Sequence, residues 1–153
     1  MISTRHTEQA LLEVIQSAKN VLFIVSFVAF EVSAVMEALN KAVSRGVEVS
    51  MLIESSKEHG GNITVDSIAS MKKALPGCSV YKWDPRKKQE SGGGSVHAKC
   101  AVADGRIAFI TSANLTSAAM EKNMELGVLV RGNKLPGQLQ EHLKALITSK
   151  LIV

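Results

Sequence analysis

The residues best suited to chemistry in this chain are His97, Lys99, Asp104, Ser112, Asn114 and Glu125, which spell H-x-K-x4-D-x7-S-x-N-x10-E. An imidazole can attack phosphorus or carry protons near neutral pH. An ammonium is a mobile point charge for an anionic oxygen, and a hydroxyl and a carboxamide are neutral donors. Together these types suit a phosphate group. Composition argues against coincidence, since the chain holds 4 His, 13 Lys, 3 Asp, 16 Ser, 6 Asn and 11 Glu in 153 residues. At those frequencies H-x-K-x4-D alone arises roughly once in 150 such chains, and the whole pattern roughly twice in a million. The short motif is therefore weak and the extended one informative.

Those side chains need elements to hold them. The alternating, β-prone stretches 95–103 and 106–112 flank Asp104-Gly105, a preferred two-residue type I′ turn, and predict a β-hairpin. Such a turn pairs Ala103 with Arg106 and, counted back along the ladder, sets His97 opposite Ser112. Alternation then places His97 and Lys99 on one face with Ser112 and Asn114. Asp104 is left outside, because the strand separating it from His97 spans roughly 23 Å; its expected task is turn geometry. Glu125 opens the apolar run 126–130 and is placed to reach an imidazole Nδ1, fixing the tautomer as an orienting carboxylate does in hydrolytic triads.

Around the hairpin the chain alternates helix and strand. Apolar spacing at Ala10, Leu11, Val14, Ile15 and Ala18 predicts a helix over 7–18, followed by a buried strand over 21–27. A helix over 32–45, ended by Gly46, leads to a strand over 47–53, and a helical crossover of that kind implies parallel pairing. Residues 55–62 read as a polar loop, 63–75 as a helix stopped by Pro76-Gly77, and 79–83 as a short strand. A strand from Leu126 and an amphipathic helix over 138–150 complete an α/β fold with a mixed sheet. At 153 residues and 46% hydrophobic content, residues 1–153 suit one core and are too few for two ordinary domains.

The apolar run 21–30 is about half the length that spans a bilayer and contains Ser26, so it reads as a central strand, and no integral membrane segment is expected. Two cysteines, Cys78 and Cys100, without a C-x-x-C, point to reduced thiols and a cytoplasmic setting. A net charge of +4 is compatible with a polyanionic substrate but does not identify one. Lys82, Arg86, Lys87 and Lys88 surround Trp83 in what reads as a loop running through Gly92-Gly93-Gly94 into the His97 strand. Two readings stand: a solvated surface loop, or a strip that grips a nucleic-acid backbone with Trp83 for stacking. His6, His59 and His142 lack comparable neighbours and read as structural or surface residues. There is no H-x-H, no H-E-x-x-H, and the aspartates Asp66, Asp84 and Asp104 are scattered, so neither a metal site nor a two-metal nuclease is expected. The glycine triplet lacks a nucleotide-loop context and reads as a spacer; no cofactor is expected.

The extended pattern resembles the phospholipase D superfamily, whose hallmark is H-x-K-x4-D followed by a G-S-x-N-like element and a downstream Glu. The resemblance covers nearly the whole chain and implies a phospholipase D-like mixed β-sheet flanked by helices on both faces. It implies His97 as nucleophile, Lys99 and Asn114 as holders of phosphate oxygens, Ser112 as their support and Glu125 as the group that orients a histidine. Within the superfamily, V-H-A-K-C-A-V-A-D-G and T-S-A-N-L-T-S-A-A-M-E-K-N-M-E-L-G-V-L-V are most similar to the phospholipase D-like component of bacterial DISARM phage-defence systems, which implies other defence-system proteins as partners. Such components are expected to be longer than this chain. Thr111 also departs from the pattern, standing where the superfamily usually has Gly, a residue that lets backbone approach a ligand closely.

A histidine nucleophile needs a second group to protonate the leaving oxygen and then activate water. The chain carries the motif once. The superfamily pairs two motifs about a two-fold or pseudo-two-fold axis, so the resemblance implies a homodimer with one shared site. The resulting expectation is a metal-independent phosphodiesterase that forms a phosphohistidine, acting on DNA or RNA. One rival is a phospholipase or phosphatidyl transferase, which calls for an exposed apolar platform or basic amphipathic helix near the site; none is evident in the sequence. The other is a non-catalytic subunit that binds nucleic acid or partner proteins through the same fold.

Overall fold

The computed structural model describes residues 6–26, 32–53, 65–90, 96–114 and 124–153. Along them run α1 (Thr7–Ser17), β1 (Val21–Ser26), α2 (Ser33–Ser44), β2 (Glu48–Ile53), α3 (Val65–Ala74), β3 (Cys78–Tyr81), α4 (Pro85–Glu90), β4 (Cys100–Ala103), β5 (Ile107–Thr111), β6 (Gly127–Arg131) and α5 (Lys134–Thr148). The polar stretch 55–62 and the glycine triplet lie outside the described residues.

The strands form one mixed sheet in the order β3-β2-β1-β4-β5-β6. β1, β2 and β3 pair in parallel through the helical crossovers, whereas β4, β5 and β6 add antiparallel to the other side of β1. Central β1 is buried from Leu22 to Ser26, which is why its sequence is continuously apolar rather than alternating. Its odd and even side chains still serve different layers. Leu22 and Ile24 join α1 and α2 residues such as Val14, Ile15 and Leu39, with Ala101 and Phe109, in one core. Phe23 and Val25 join Val102, Ala108, Leu143 of α5 and Ile152 on the opposite face. Each wholly buried aliphatic side chain adds about 1.5–3 kcal/mol of burial energy, so the two layers clamp β1 and β4 and give the active-strand candidates a rigid base.

Several boundaries differ from expectation: the strand expected over 95–103 is regular only at Cys100–Ala103, and two further differences bear on the site. α5 begins at Lys134, ahead of Pro136 and Gly137, because the first turn of a helix has no intrahelical acceptor for its N–H groups and tolerates proline there. The hairpin is the more consequential correction. Asp104 and Gly105 do adopt positive φ (54° and 61°), as a type I′ turn requires. Arg106, however, is an extra residue: its N–H closes the turn onto the Ala103 carbonyl at 2.9 Å while its carbonyl accepts from Gly132 N–H at 2.7 Å. Ala103 therefore pairs with Ile107 and Cys100 with Ile110, one residue off the expected register. Continued outward, this ladder puts Lys99 against Thr111 and His97 against Ala113, so alternation alone does not bring His97 and Ser112 onto one face.

Candidate active site at the end of the β4–β5 hairpin

The regular ladder stops where the motif residues begin. Val96 to Lys99 precede β4, and Thr111 N–H makes the last rung to the Lys99 carbonyl at 3.1 Å. His97 is exposed, and the half-buried Lys99 folds its Nζ back onto the His97 carbonyl at 3.0 Å. The imidazole and ammonium thus sit at one strand end, next to the end of β1, where Val25 pairs with Cys100.

Across the hairpin, β5 bends at Ser112. The Ser112 N–H donates to the Leu126 carbonyl at 2.9 Å, and Ser112 Oγ accepts from Leu126 N–H at 3.1 Å. The same hydroxyl donates to Glu125 Oε2 at 2.5 Å. Thus β5–β6 pairing unites Ser112 and Glu125, which are thirteen positions apart.

Thr111 contributes in a way the sequence did not announce. Its hydroxyl donates to the Leu126 carbonyl at 3.2 Å and accepts from Ala113 N–H at 3.1 Å, shaping the bend that leads to Asn114. Asn114 Oδ1 is buried with no hydrogen-bond partner among the described residues. An orphan acceptor of this sort costs about 1–3 kcal/mol and is a common mark of a site kept for something else. Ser26, Cys100, Thr111 and Ala113 line a cavity of about 20 Å³ beside these groups, space for one water-sized group. Burial pushes the Cys100 thiol up to about 11, which makes it a packing residue rather than a second nucleophile.

Asp104 occupies the other end of β4, as expected from its role in the turn. Its carboxylate accepts from Lys19 N–H at 2.8 Å and from Asn20 and Val21 N–H at 2.9 Å each. Partial burial works to raise its pKa, but the three backbone donors and nearby Arg106 outweigh that and hold it below the usual carboxylate range. Gly105 N–H donates to Gln140 Oε1 at 2.7 Å, so the turn is tied to both β1 and α5.

The basic stretch is not the loop the sequence suggested. Lys82 pairs with Val153 through its backbone in both directions at 2.8 Å, Trp83 bridges to Ile152 and packs on the core, and Pro85–Glu90 forms α4. Asp84 caps that helix by accepting from Arg86 N–H at 2.9 Å, and the Arg86 guanidinium also grips both carboxylate oxygens, holding the Asp84 pKa low. Asp-Pro is a recognisable helix start that the basic composition masked. Lys87 pairs with Glu90 at 3.1 Å, and Lys88 lies on the same helix. Lys82 is exposed at the start of the strip.

A further correction concerns the apolar platform that the sequence did not reveal. Ile110, Met124, Leu126 and Val128 are 43%, 102%, 80% and 58% exposed, beside Ser112 and Glu125. Among the described residues, no group of three His, Cys, Asp or Glu gathers as a metal set, and no helix is long and apolar enough to cross a membrane.

A mixed sheet layered by helices, with H-x-K leading into one strand and Ser, Asn and Glu around its neighbours, defines a phospholipase D-like domain. The chain belongs to the family described as cardiolipin synthase, PLD-like domain, which it matches over residues 11–147. It is 29% identical over 133 residues to cardiolipin synthase A of Pseudomonas aeruginosa, covering 87% of this chain and 26% of that protein. The chain thus spans about a quarter of the length of such curated relatives. Nuc of Salmonella typhimurium, a phospholipase D family member, superposes with a TM-score of 0.70 at 26% identity, over 90% of this chain and 84% of its own. NucT of Helicobacter pylori shares the fold, with a TM-score of 0.73 at 21% identity over 93% of this chain and 87% of its own.

Proposed function

We propose that the chain is a metal-independent phosphodiesterase acting on DNA or RNA, with His97 as the nucleophile and one active site shared by two copies. The observation that carries this reading is the Ser112–Glu125 bond at the open end of the β4–β5 hairpin, the end at which His97 and Lys99 lead into β4. In the first step a His97 nitrogen bonds to phosphorus, the phosphorus–oxygen bond to the leaving group breaks, and the leaving oxygen takes a proton from the second copy's imidazole. In the second, that imidazole removes a proton from water, whose oxygen displaces His97 from phosphorus. Lys99 balances the charge of the phosphate oxygens, the Asn114 amide N–H donates to them, and Glu125 orients a histidine. The phage-defence setting belongs to this proposal on the strength of the motif resemblance alone, and with it partner proteins of such a system.

A lipid-directed phosphatidyl transfer is the second reading, favoured by two findings: the cardiolipin synthase relatives and the exposed apolar residues beside Ser112. The deciding experiment incubates wild-type and His97→Asn protein in excess EDTA with labelled DNA, RNA and phosphatidylglycerol vesicles. Cleavage of nucleic acid by wild type only supports the first reading. Lipid turnover only supports the second. Activity on nucleic acid that disappears with EDTA and returns with Mg²⁺ overturns metal independence.

A further inference from the structure

Among the described residues the arginines spend their charge in different ways. Arg45 donates to the Ile15 and Ala18 carbonyls at 3.1 Å each, Arg86 grips Asp84, and Arg131 is paired with Glu13. Arg106 differs from these three. Its backbone is fixed on both sides, by the Ala103 carbonyl at 2.9 Å and the Gly132 N–H at 2.7 Å, yet its exposed guanidinium has no hydrogen-bonded or ion-paired partner among the described residues; Asp104 only feels its charge. The side chain borders a cavity of about 430 Å³ at the turn, which Lys19, Asn20, Val21, Asp104 and Gln140 also line. Lys19 gives its backbone N–H to Asp104, but its exposed ammonium is likewise unbonded among the described residues. Gln140 spends Oε1 on the Gly105 N–H at 2.7 Å, which leaves its Nε2 amide to donate elsewhere. Asp104, the one acid in the lining, is already held by three backbone N–H groups. Gly137, in the first turn of α5, lies close by: a Cβ on Gly105 would sit 3.4 Å from its Cα, so the positive end of that helix adds to the field.

We infer that this cavity is a phosphate-binding site separate from the candidate active site, with Arg106, Lys19 and the Gln140 amide as its donors. The guanidinium, the ammonium and the amide arrive from three elements, the hairpin turn, the α1–β1 link and α5, and so call for acceptors pointing in several directions. A tetrahedral phosphate supplies them, whereas a planar carboxylate is satisfied by the fork of one arginine. The volume falls within the roughly 300–1,000 Å³ of small-molecule sites, room for a nucleotide or for a stretch of nucleic-acid backbone. Roughly 23 Å of strand separates Asp104 from His97, too far for one phosphate group to touch both ends. The site therefore stands independently of what His97 does.

Amide NMR titrations of the full chain test it, with inorganic pyrophosphate, AMP and a short single-stranded DNA as probes, the DNA arm in His97→Asn protein so that the probe stays intact. Saturable shifts are expected at Gly105 and at the Gln140 side-chain amide. Arg106→Gln should weaken that binding about tenfold or more and Lys19→Gln by less, while Lys72→Gln, an exposed cation on α3 at the β3 edge of the sheet, should leave it unchanged. All three side chains are exposed, so the spectra of the variants should otherwise match wild type. A response at the turn to pyrophosphate or AMP identifies a free phosphate compound as the ligand, and a response to DNA alone identifies a nucleic-acid backbone; either upholds the site. No shift at the turn, shifts confined to the open end around His97 and Lys99, or a loss with Lys72→Gln as large as with Arg106→Gln overturns it. Because no turnover is measured, failure here leaves the phosphodiesterase reading untouched, and an inactive His97 leaves this site untouched.

Discussion

The two ends of the β4–β5 hairpin are built from the same motif but treat their polar groups in opposite ways. At the turn, Asp104 accepts three backbone N–H groups, Gly105 is fastened to Gln140, and Arg106 closes onto Ala103 and Gly132. At the open end, the rungs stop at Lys99, Ser112 and Glu125 share a short bond, and Asn114 keeps a buried acceptor without a partner among the described residues. A cavity of about 430 Å³ lies at the turn end between Lys19, Arg106 and Gln140, and one of about 20 Å³ beside Cys100 and Thr111 toward the other. Among the described residues the two ends differ in hydrogen-bonding capacity, spent at the Asp104 carboxylate in the turn and held in reserve at Asn114.

The largest effect that can sharpen this contrast is expected at His97. His97→Asn should cut turnover by at least about a thousandfold, the scale of losing both a nucleophile and a proton carrier. Mixed with wild type under confirmed subunit exchange, it should lower activity as the square of the wild-type fraction; a linear fall would give each subunit its own site. Ser112→Ala comes next, since it removes the donor to Glu125 and the acceptor for Leu126 N–H. A loss of roughly 1–3 kcal/mol, read as about a ten- to hundredfold fall in kcat/KM, is expected with little change in melting temperature.

At the turn the expectation reverses. Asp104→Asn should cost about 1–3 kcal/mol of stability and leave kcat per folded molecule within about twofold; normal stability with complete loss of turnover would break the comparison. Its pH dependence follows from the lowered pKa of Asp104. A depressed native pKa means the carboxylate stabilises fully above its unfolded value near 3.9, and that contribution is lost as pH falls through the native value. The stability gap between wild type and Asp104→Asn should thus close on acidification, in urea melts from pH 6 downward.

Two smaller effects test the edges of the site. Thr111→Val, which keeps the shape but loses both hydroxyl bonds, should lower kcat several-fold with KM nearly unchanged, and Thr111→Ser should restore it. Neutralising Lys82, Arg86, Lys87 and Lys88 together should flatten the salt dependence of DNA binding by fewer than four phosphate equivalents, because Arg86 and Lys87 are already paired with acids. An unchanged slope would return the strip to plain surface.

Apart from α4, the order of helices and strands was legible from period or a firm stop: Gly46, with φ of 85°, ends the turn after α2 as anticipated. Asp104's separation from His97 was legible from strand length alone. The register was not, because Arg106 bulges for a long-range reason, its carbonyl bond to Gly132, that no local turn preference encodes. Nor was α4, since Lys and Arg richness reads as loop while Asp84 and Pro85 set a helix start. The apolar strip escaped for a related reason: alternation marks Ile110 and Val128 as facing a layer, but not how far α5 extends over them.

The Ser112–Leu126 clasp ties the end of β5 to the approach to β6. Leu126 is held to Ser112 by two hydrogen bonds and to Thr111 by a third, so the chain leaving the sheet at Ser112 returns to a fixed point. Glu125 directly precedes Leu126, so its carboxylate rides on the same fastening that ends β5: a shift of β6 along β5 would carry the acid and the Ser112 hydroxyl together, as one lever rather than two independent groups.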